Sequence, residues 1–297
     1  MNYRQMGLAL LLLASGPAWG QSIASIDKAL DRAEARADRG EAASATSQAI
    51  LGLDGGVAPV KNWTLSFALP LSFNSNVANA ETGRLSAVHT APAVELKGVW
   101  DISPSATFSL TAKAEMDVFS AHTDNDTSGL SGIAEFAIGN PDERLSPYIR
   151  YTANSLYAGQ WEGHLITTHL FGLGVRRNFK LSVDDSVALN VSYNRREASV
   201  ITAQQHRFAG QLGYNGKIDG KTGWSLAARV QYSDYTGGAS AARNDVQLRT
   251  IVGVTHKLTP GLTVSADMMF LRNWSNFAGK DYSVIDAGPS IKLTKKF

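Results

Sequence analysis

Ionisable residues recur at alternate positions along this chain, and that spacing is the first clue to what they do. Lys113, Glu115 and Asp117 stand two apart, as do Lys97 beside Glu95, Arg229 beside Gln231 and Arg249 beside Gln247. A period of two puts such residues on one face of an extended strand. Collecting that face along the chain gives Lys97, Lys113, Arg150, Arg176, Arg229, Arg249 and Lys292 on the positive side. Glu95, Glu115, Asp117, Glu135, Asp245, Asp267 and Asp286 oppose them. Two readings follow. The charges form ion pairs that satisfy a narrow interior, or they form a constriction that sorts solutes by sign. The balance of signs argues against a strongly anion- or cation-specific path.

Catalytic chemistry has thinner support. Six histidines are present, at 89, 122, 164, 169, 206 and 256. His89, His122 and His164 fall in or beside segments expected to be loops, where a histidine-dependent hydrolase site at a barrel rim would lie. The His-Xaa-Ser-Asn-Gly pattern of the outer-membrane phospholipase family is missing, and Asn273-Trp274-Ser275-Asn276 has no histidine beside it. His122 with Asp124 and Asp126 is an acidic loop rather than a metal-ligand pattern. No catalytic residue, metal site or cofactor is assigned.

The elements that position the charges are long amphipathic segments. Residues 62–76 place Trp63, Leu65, Phe67, Leu69, Leu71 and Phe73 on one face and Thr64, Ser66, Ala68, Pro70, Ser72 and Asn74 on the other. Eleven further segments follow, making about twelve strands in residues 62–297. His164 to Lys180, for example, sets Leu165, Phe171, Leu173 and Val175 against Arg176 and Asn178. The connections alternate between tight Pro/Gly/Asp/Ser turns and mostly longer loops. Ile102 to Ser105 and Thr259-Pro260-Gly261 are turns, whereas Val77 to Thr90 and Thr236 to Ala242 are loops. Trp63, Phe73, Trp100, Trp224, Tyr235, Trp274 and Phe297 lie near strand ends, as interfacial girdles require. The apolar face is continuous and nearly uncharged, and the other face is charged. Lipid must therefore lie outside and water inside. The fold expected is all-β, a transmembrane antiparallel up-and-down barrel.

The last strand, Tyr282 to Phe297, carries Ile285, Ala287, Pro289, Ile291, Leu293 and a terminal Phe297 on its apolar face. This tail resembles the assembly signal of Gram-negative outer-membrane β-barrels, with Phe297, Leu293 and Ile291 as its matching residues. Lys295 departs from that pattern, which usually has an apolar residue there. The resemblance is to porin- or channel-like barrels generally. It implies an outer-membrane location, outer-membrane lipid and lipopolysaccharide as surroundings, and the barrel-assembly machinery as a partner.

The remaining chain fits export. Arg4, the apolar run Gly7 to Ala14, and Ala18-Trp19-Gly20 read as a signal peptide over residues 1–20. The 297 residues contain no cysteine, carry a net charge of +2 and have no apolar run long enough for a membrane helix. A near-neutral balance gives no footprint for nucleic acid. Within residues 21–53, Ile23, Ile26, Leu30, Ala33 and Ala37 make one narrow helical stripe. A self-associating coil, a plug inside the barrel and a solvated tether all fit this segment. The favoured expectation is a periplasmic tether or partner-dependent helix, joined to the barrel by a linker at 54–61. A narrow channel for small or oligomeric hydrophilic solutes is the function expected. A barrel for export or assembly, such as polysaccharide secretion, is the alternative, beside a structural role and, further off, a rim-site hydrolase. A helix before a twelve-stranded barrel also resembles autotransporter translocators, where the helix threads the pore, but here the helix is expected to follow the signal peptide directly, with no room for a passenger.

Overall fold

The computed structural model describes residues 28–33, 36 and 63–297, so the expectations for the signal peptide, the linker and the rest of residues 21–53 lie outside the described residues. Thirteen strand segments form one antiparallel sheet: β1 (Trp63–Asn74), β2 (Ala87–Thr90), β3 (Ala93–Ser103), β4 (Ala106–Phe119), β5 (Thr127–Ile138), β6 (Ser146–Ala158), β7 (His164–Lys180), β8 (Asp185–Ala198), β9 (Gln205–Lys217), β10 (Thr222–Tyr235), β11 (Asn244–Thr259), β12 (Leu262–Ser275) and β13 (Tyr282–Lys296). β2 and β3 both pair with β1 on one side and β4 on the other. They are two halves of one wall strand, interrupted at Ala91-Pro92, where proline has no N–H to give the ladder. The wall therefore has twelve staves.

Closure comes from β1 and β13, which pair from Thr64↔Lys296 to Asn74↔Asp286. The terminal residue completes the seam: Phe297 N–H donates to the Trp63 carbonyl at 3.0 Å, and Trp63 N–H donates to the Phe297 carbonyl at 3.2 Å. Every wall strand then has two neighbours, and no edge is left to recruit another chain. Among the described residues no helix is long and apolar enough to cross a membrane.

Side chains sort as the alternation demands. Leu65, Phe67, Leu69, Leu71 and Phe73 of β1 are exposed on the outer face, whereas Ser66, Ser72 and Asn74 are buried inside. The same holds for Leu226, Val230 and Tyr232 outside β10 and Ser225, Gln231 and Ser233 inside it. In water such an exterior would aggregate; in hydrocarbon it is the favourable surface. The fold is that of a transmembrane barrel.

Connections between β3 and β4 and between β11 and β12 are two residues long, Pro104-Ser105 and Pro260-Gly261. That rim is the turn end. Longer connections at 75–86, 120–126 and 236–243 mark the opposite rim as the loop end. Aromatic contacts at the turn end include Trp63 edge-on to Trp100 at 5.2 Å and Tyr214 stacked on Trp224 at 4.9 Å.

Three expectations need correction. Leu165 does not face lipid. The ladder slips between Leu156 and Tyr157, and the bulge turns Leu165 into a buried cluster with Leu156 and Ile166. Tyr235 is no girdle residue: only 4% exposed, it lies inside with the Arg243 guanidinium 4.2 Å from its ring. The third concerns the N-terminal segment. Its described residues are helical and lie inside the wall, not outside the barrel as a periplasmic tether would.

Candidate functional site

The site is the lumen where that helix meets the wall. Helix residues Ala29 and Leu30 are 2% and 1% exposed and pack against Leu156, Leu165, Ile166 and Ala203 from β6, β7 and the β8–β9 loop. Of the apolar stripe seen in the sequence, Leu30 and Ala33 thus find their partner in the barrel itself. This is the physical reason the tether expectation fails: a narrow stripe gains more from a preformed apolar patch than from water or a marginal coil.

Polar residues of the same helix fix its position. Arg32, 6% exposed, donates from Nη1 to the Val77 carbonyl at 2.7 Å and from Nη2 to the Asn125 carbonyl at 3.0 Å. Its guanidinium also lies 5.7 Å from the Phe119 ring centre. Arg36, four residues on and so on the same helical face, donates to Asp117 and forms an ion pair with Glu115 at 3.5 Å. Asp31 accepts from the Tyr282 hydroxyl at 3.0 Å. The helix is thus tied to β4, β13 and two loops.

Behind Arg36 lies a buried bridge across the barrel seam. The His89 ring takes Asp117 at 2.7 Å through Nδ1 and Asp286 at 3.0 Å through Nε2. Phe119 stacks on the same ring at 4.9 Å. Asn74 donates to Asp286 at 3.1 Å and accepts from the Asn76 N–H at 2.8 Å. His89 was expected in a loop; it lies on β2 and faces inward. With carboxylates on both ring nitrogens it has none left to activate a hydroxyl or water. In this geometry it is a crosslink between β2, β4 and β13.

The other histidines are scattered. His169 and His206 face outward, stacked on Tyr151 and Tyr193 at 6.0 and 5.9 Å. His164 meets Thr167 near the loop end, and His256 meets Thr222 at the turn end. In the 120–126 loop, Asp126 accepts the Phe119 N–H at 2.9 Å and so closes the loop on itself. Among the described residues no group of three His, Asp or Glu is placed to hold a metal ion.

The wall charges collected from the sequence divide into separate groups. Lys113 bonds Glu115 at 2.5 Å, beside Asp117 and the helix. Glu135 receives Arg150 at 2.7 Å and Arg176 at 2.8 Å, a second cluster nearer the turn end on β5, β6 and β7. Arg229 and Arg249 are directly paired across β10 and β11, and each donates to the glutamine two positions along its own strand, Gln231 and Gln247. Asp267 sits inside β12 opposite Gly253. Lys97 is level with Thr64 and Thr111, and Lys292 with Ala68 and Thr263, so both are apart from the helix site.

A pattern not visible strand by strand then emerges. Four successive strands, β8 to β11, each carry an inward arginine: Arg196, Arg207, Arg229 and Arg249. Glu115, Asp117 and Asp286 belong to β4 and β13. Both signs occur on these same walls: Asp245 of β11 pairs with Arg243, Asp267 is inside β12, and Lys113 accompanies Glu115 on β4, so the lumen is charged throughout.

No protein-family profile matches the chain, and the comparison with curated proteins found no match. Solved structures with a similar fold include the translocator domain of autotransporter NalP from Neisseria meningitidis, at 15% identity and TM-score 0.49, covering 89% of this chain and 97% of that one. The KdgM porin aligns at 9% identity and TM-score 0.42, over 77% and 98% of the two chains. A bacterial polysaccharide outer membrane secretin aligns at 10% identity and TM-score 0.47, over 80% and 99%.

Proposed function

We propose that the protein is an outer-membrane channel for small hydrophilic solutes, narrowed at its loop end by its own N-terminal helix. The observation that carries this reading is a lumen lined by charged side chains, with inward arginines on four adjacent strands and the Glu115, Asp117 and Asp286 carboxylates on β4 and β13, into which the helix docks. A charged, polar lining favours hydrophilic solutes over apolar ones. The apolar exterior fits outer-membrane lipid and lipopolysaccharide, and the Phe297 strand fits recognition by the barrel-assembly machinery.

The test is planar-bilayer conductance of the mature protein and of a variant lacking residues 21–53. The variant is expected to conduct more than the full chain and to remain heat-modifiable on gels. No conductance from either protein would overturn the channel reading. An export role is the second reading, favoured by a helix that occupies the lumen.

A further inference from the structure

The turn end of the barrel carries an apolar ring. Ile102, Leu145, Leu181, Val183, Ile218 and Leu258 lie in or beside the five connections of that rim, and each is between 48% and 83% exposed. Phe297 joins them at the seam. One scattered apolar side chain needs no explanation, but one at every turn of a rim does. The ring continues the outer face past the strand ends. Ile102 follows Trp100 by two positions, Leu181 follows Phe179 by two, and Leu145 precedes Pro147 by two, so alternation keeps them on the side of the wall that meets lipid.

The height of the apolar band places this ring in the membrane. On β7 the outer face changes from His169 to Phe171 near the loop end, and Phe171 is exposed. From Phe171 to Leu181 is ten positions, about 33 Å of strand, or about 25 Å across a bilayer at a tilt near 40°. The apolar band of a transmembrane barrel is about 25 Å tall. Stopping at Phe179 would leave only about 20 Å by the same measure. The turn side chains complete the band. Arg177, outward within this span, sets its guanidinium 5.5 Å from the Phe179 ring and so toward the rim, as a long base does when its stem lies in lipid.

Acids and bases of the rim are used differently. Asp142 accepts from Asn178 at 2.7 Å, and Glu143 from Asn140 at 3.1 Å. Asp185 accepts from the Ser182 and Tyr214 hydroxyls at 2.8 Å, and Asp219 from the Lys221 and Thr222 N–H groups at 2.7 Å. Asp184 meets Lys217 at 3.9 Å, and Asp101 is turned to the inner face by its alternation with Trp100. Arg144, Lys180, Lys221, Lys257 and Lys295 form no ion pair among the described residues. Each stands within three positions of a ring residue: Leu145, Leu181, Ile218, Leu258 or Phe297. The carboxylates close turns, and the bases are left to reach outward.

We propose that the turn rim is a lipid-binding surface, with its aliphatic ring seated in the leaflet on that side and its bases holding the phosphates of anionic phospholipid headgroups. Continuity with the apolar wall and the unpaired bases both select this occupant over a soluble partner, which would need the ring in water. Nothing in the lumen enters the proposal, so it stands apart from the channel reading.

The native chain has no cysteine, so a polarity-sensitive fluorophore can be attached singly at Leu181→Cys or Ile218→Cys of the mature protein. The labelled protein is reconstituted in phosphatidylcholine vesicles containing phosphatidylglycerol. Quenching by brominated acyl chains, and little by iodide present on both sides, is expected. Strong quenching by iodide and none by the brominated lipid overturns the proposal, because the rim then stands in water, open to a soluble partner. The second measurement is lipid retention from a mixture of the same two lipids, read by native mass spectrometry. The wild-type protein is expected to retain phosphatidylglycerol in preference. The variant Lys180→Gln, Lys221→Gln, Lys257→Gln, Lys295→Gln is expected to lose that preference by about tenfold, given the attraction of each base to an anionic surface. Equal preference in the two proteins, with both barrels heat-modifiable, overturns the headgroup assignment.

Discussion

Arg36 and Asp117 stand 81 positions apart and form an ion pair in which the carboxylate side chain is only 1% exposed. Asp117 also holds His89, which holds Asp286, so one contact from the helix reaches three strands of the wall. Its loss should be felt well beyond the helix.

Removing one partner of a buried pair leaves the other charge unpaired, at a cost of about 3–5 kcal/mol. Arg36→Ala is accordingly expected to lower the unfolding midpoint of the purified protein and to raise conductance, because the inner tie of the helix is cut. Asp117→Asn should destabilise more, since it weakens both Arg36 and His89. The double variant Arg36→Ala, Asp117→Asn should fall short of the sum of the singles. Strict additivity, measured by denaturant titration, would mean that the two side chains do not act together.

Leu30 tests the apolar half of the attachment. At 1% exposure, truncation to alanine is expected to cost about 2–5 kcal/mol of helix docking. The wall has its own ladder, so the barrel should still assemble and keep its gel shift. Hydrogen exchange should rise over residues 28–36 and stay low in β7 and β8. Loss of the assembled barrel instead would make the helix part of the folding core.

The wall was legible in the sequence because its signal is local. Inside and outside alternate within each strand, and the register of Leu65 or Val230 needs no knowledge of any other strand. The lumen site was less legible, since it depends on which strands face each other across the pore. Asp117 and Asp286 were identifiable as inward. Their shared histidine was hidden, because His89 sits on a four-residue strand between a long loop and Pro92 and reads as loop. Arg32 and Arg36 were visible as charges on an amphipathic helix, but a charged helical face ordinarily means solvent. The one available cue was their four-residue spacing, which suits a shared acidic partner. The bulge that buries Leu165 left no mark at all, since the apolar alternation runs straight through it.

Arg229 and Arg249 lie directly opposite each other on β10 and β11, two like charges side by side. Arg229 donates to Gln231 and Arg249 to Gln247, which holds both guanidinium groups along the wall. Replacing both arginines with alanine removes half of the arginine row and is expected to shift reversal potential toward cations under a salt gradient. If conductance rises while the reversal potential stays put, these arginines pack the lumen without filtering it.

The barrel seam offers the sharpest structural test. The β1–β13 ladder skips between Pro70↔Ser290 and Phe73↔Ala287, and there the two backbones close on each other. A Cβ on Gly288 would stand 2.0 Å from the Leu71 carbonyl oxygen and 2.7 Å from the Ser72 Cα. Both are backbone atoms, so no side-chain rotation relieves the clash, and overpacking of this kind typically costs about 1–3 kcal/mol or more. The position also lies beside Asp286, whose carboxylate receives His89 and Asn74. Gly288→Ala is therefore expected to lower the yield of heat-modifiable barrel and to weaken the hold on the helix. Gly132→Ala serves as the control, since a Cβ there meets nothing within 4 Å. Equal yields of the two variants would show that the seam can open enough to take a methyl group.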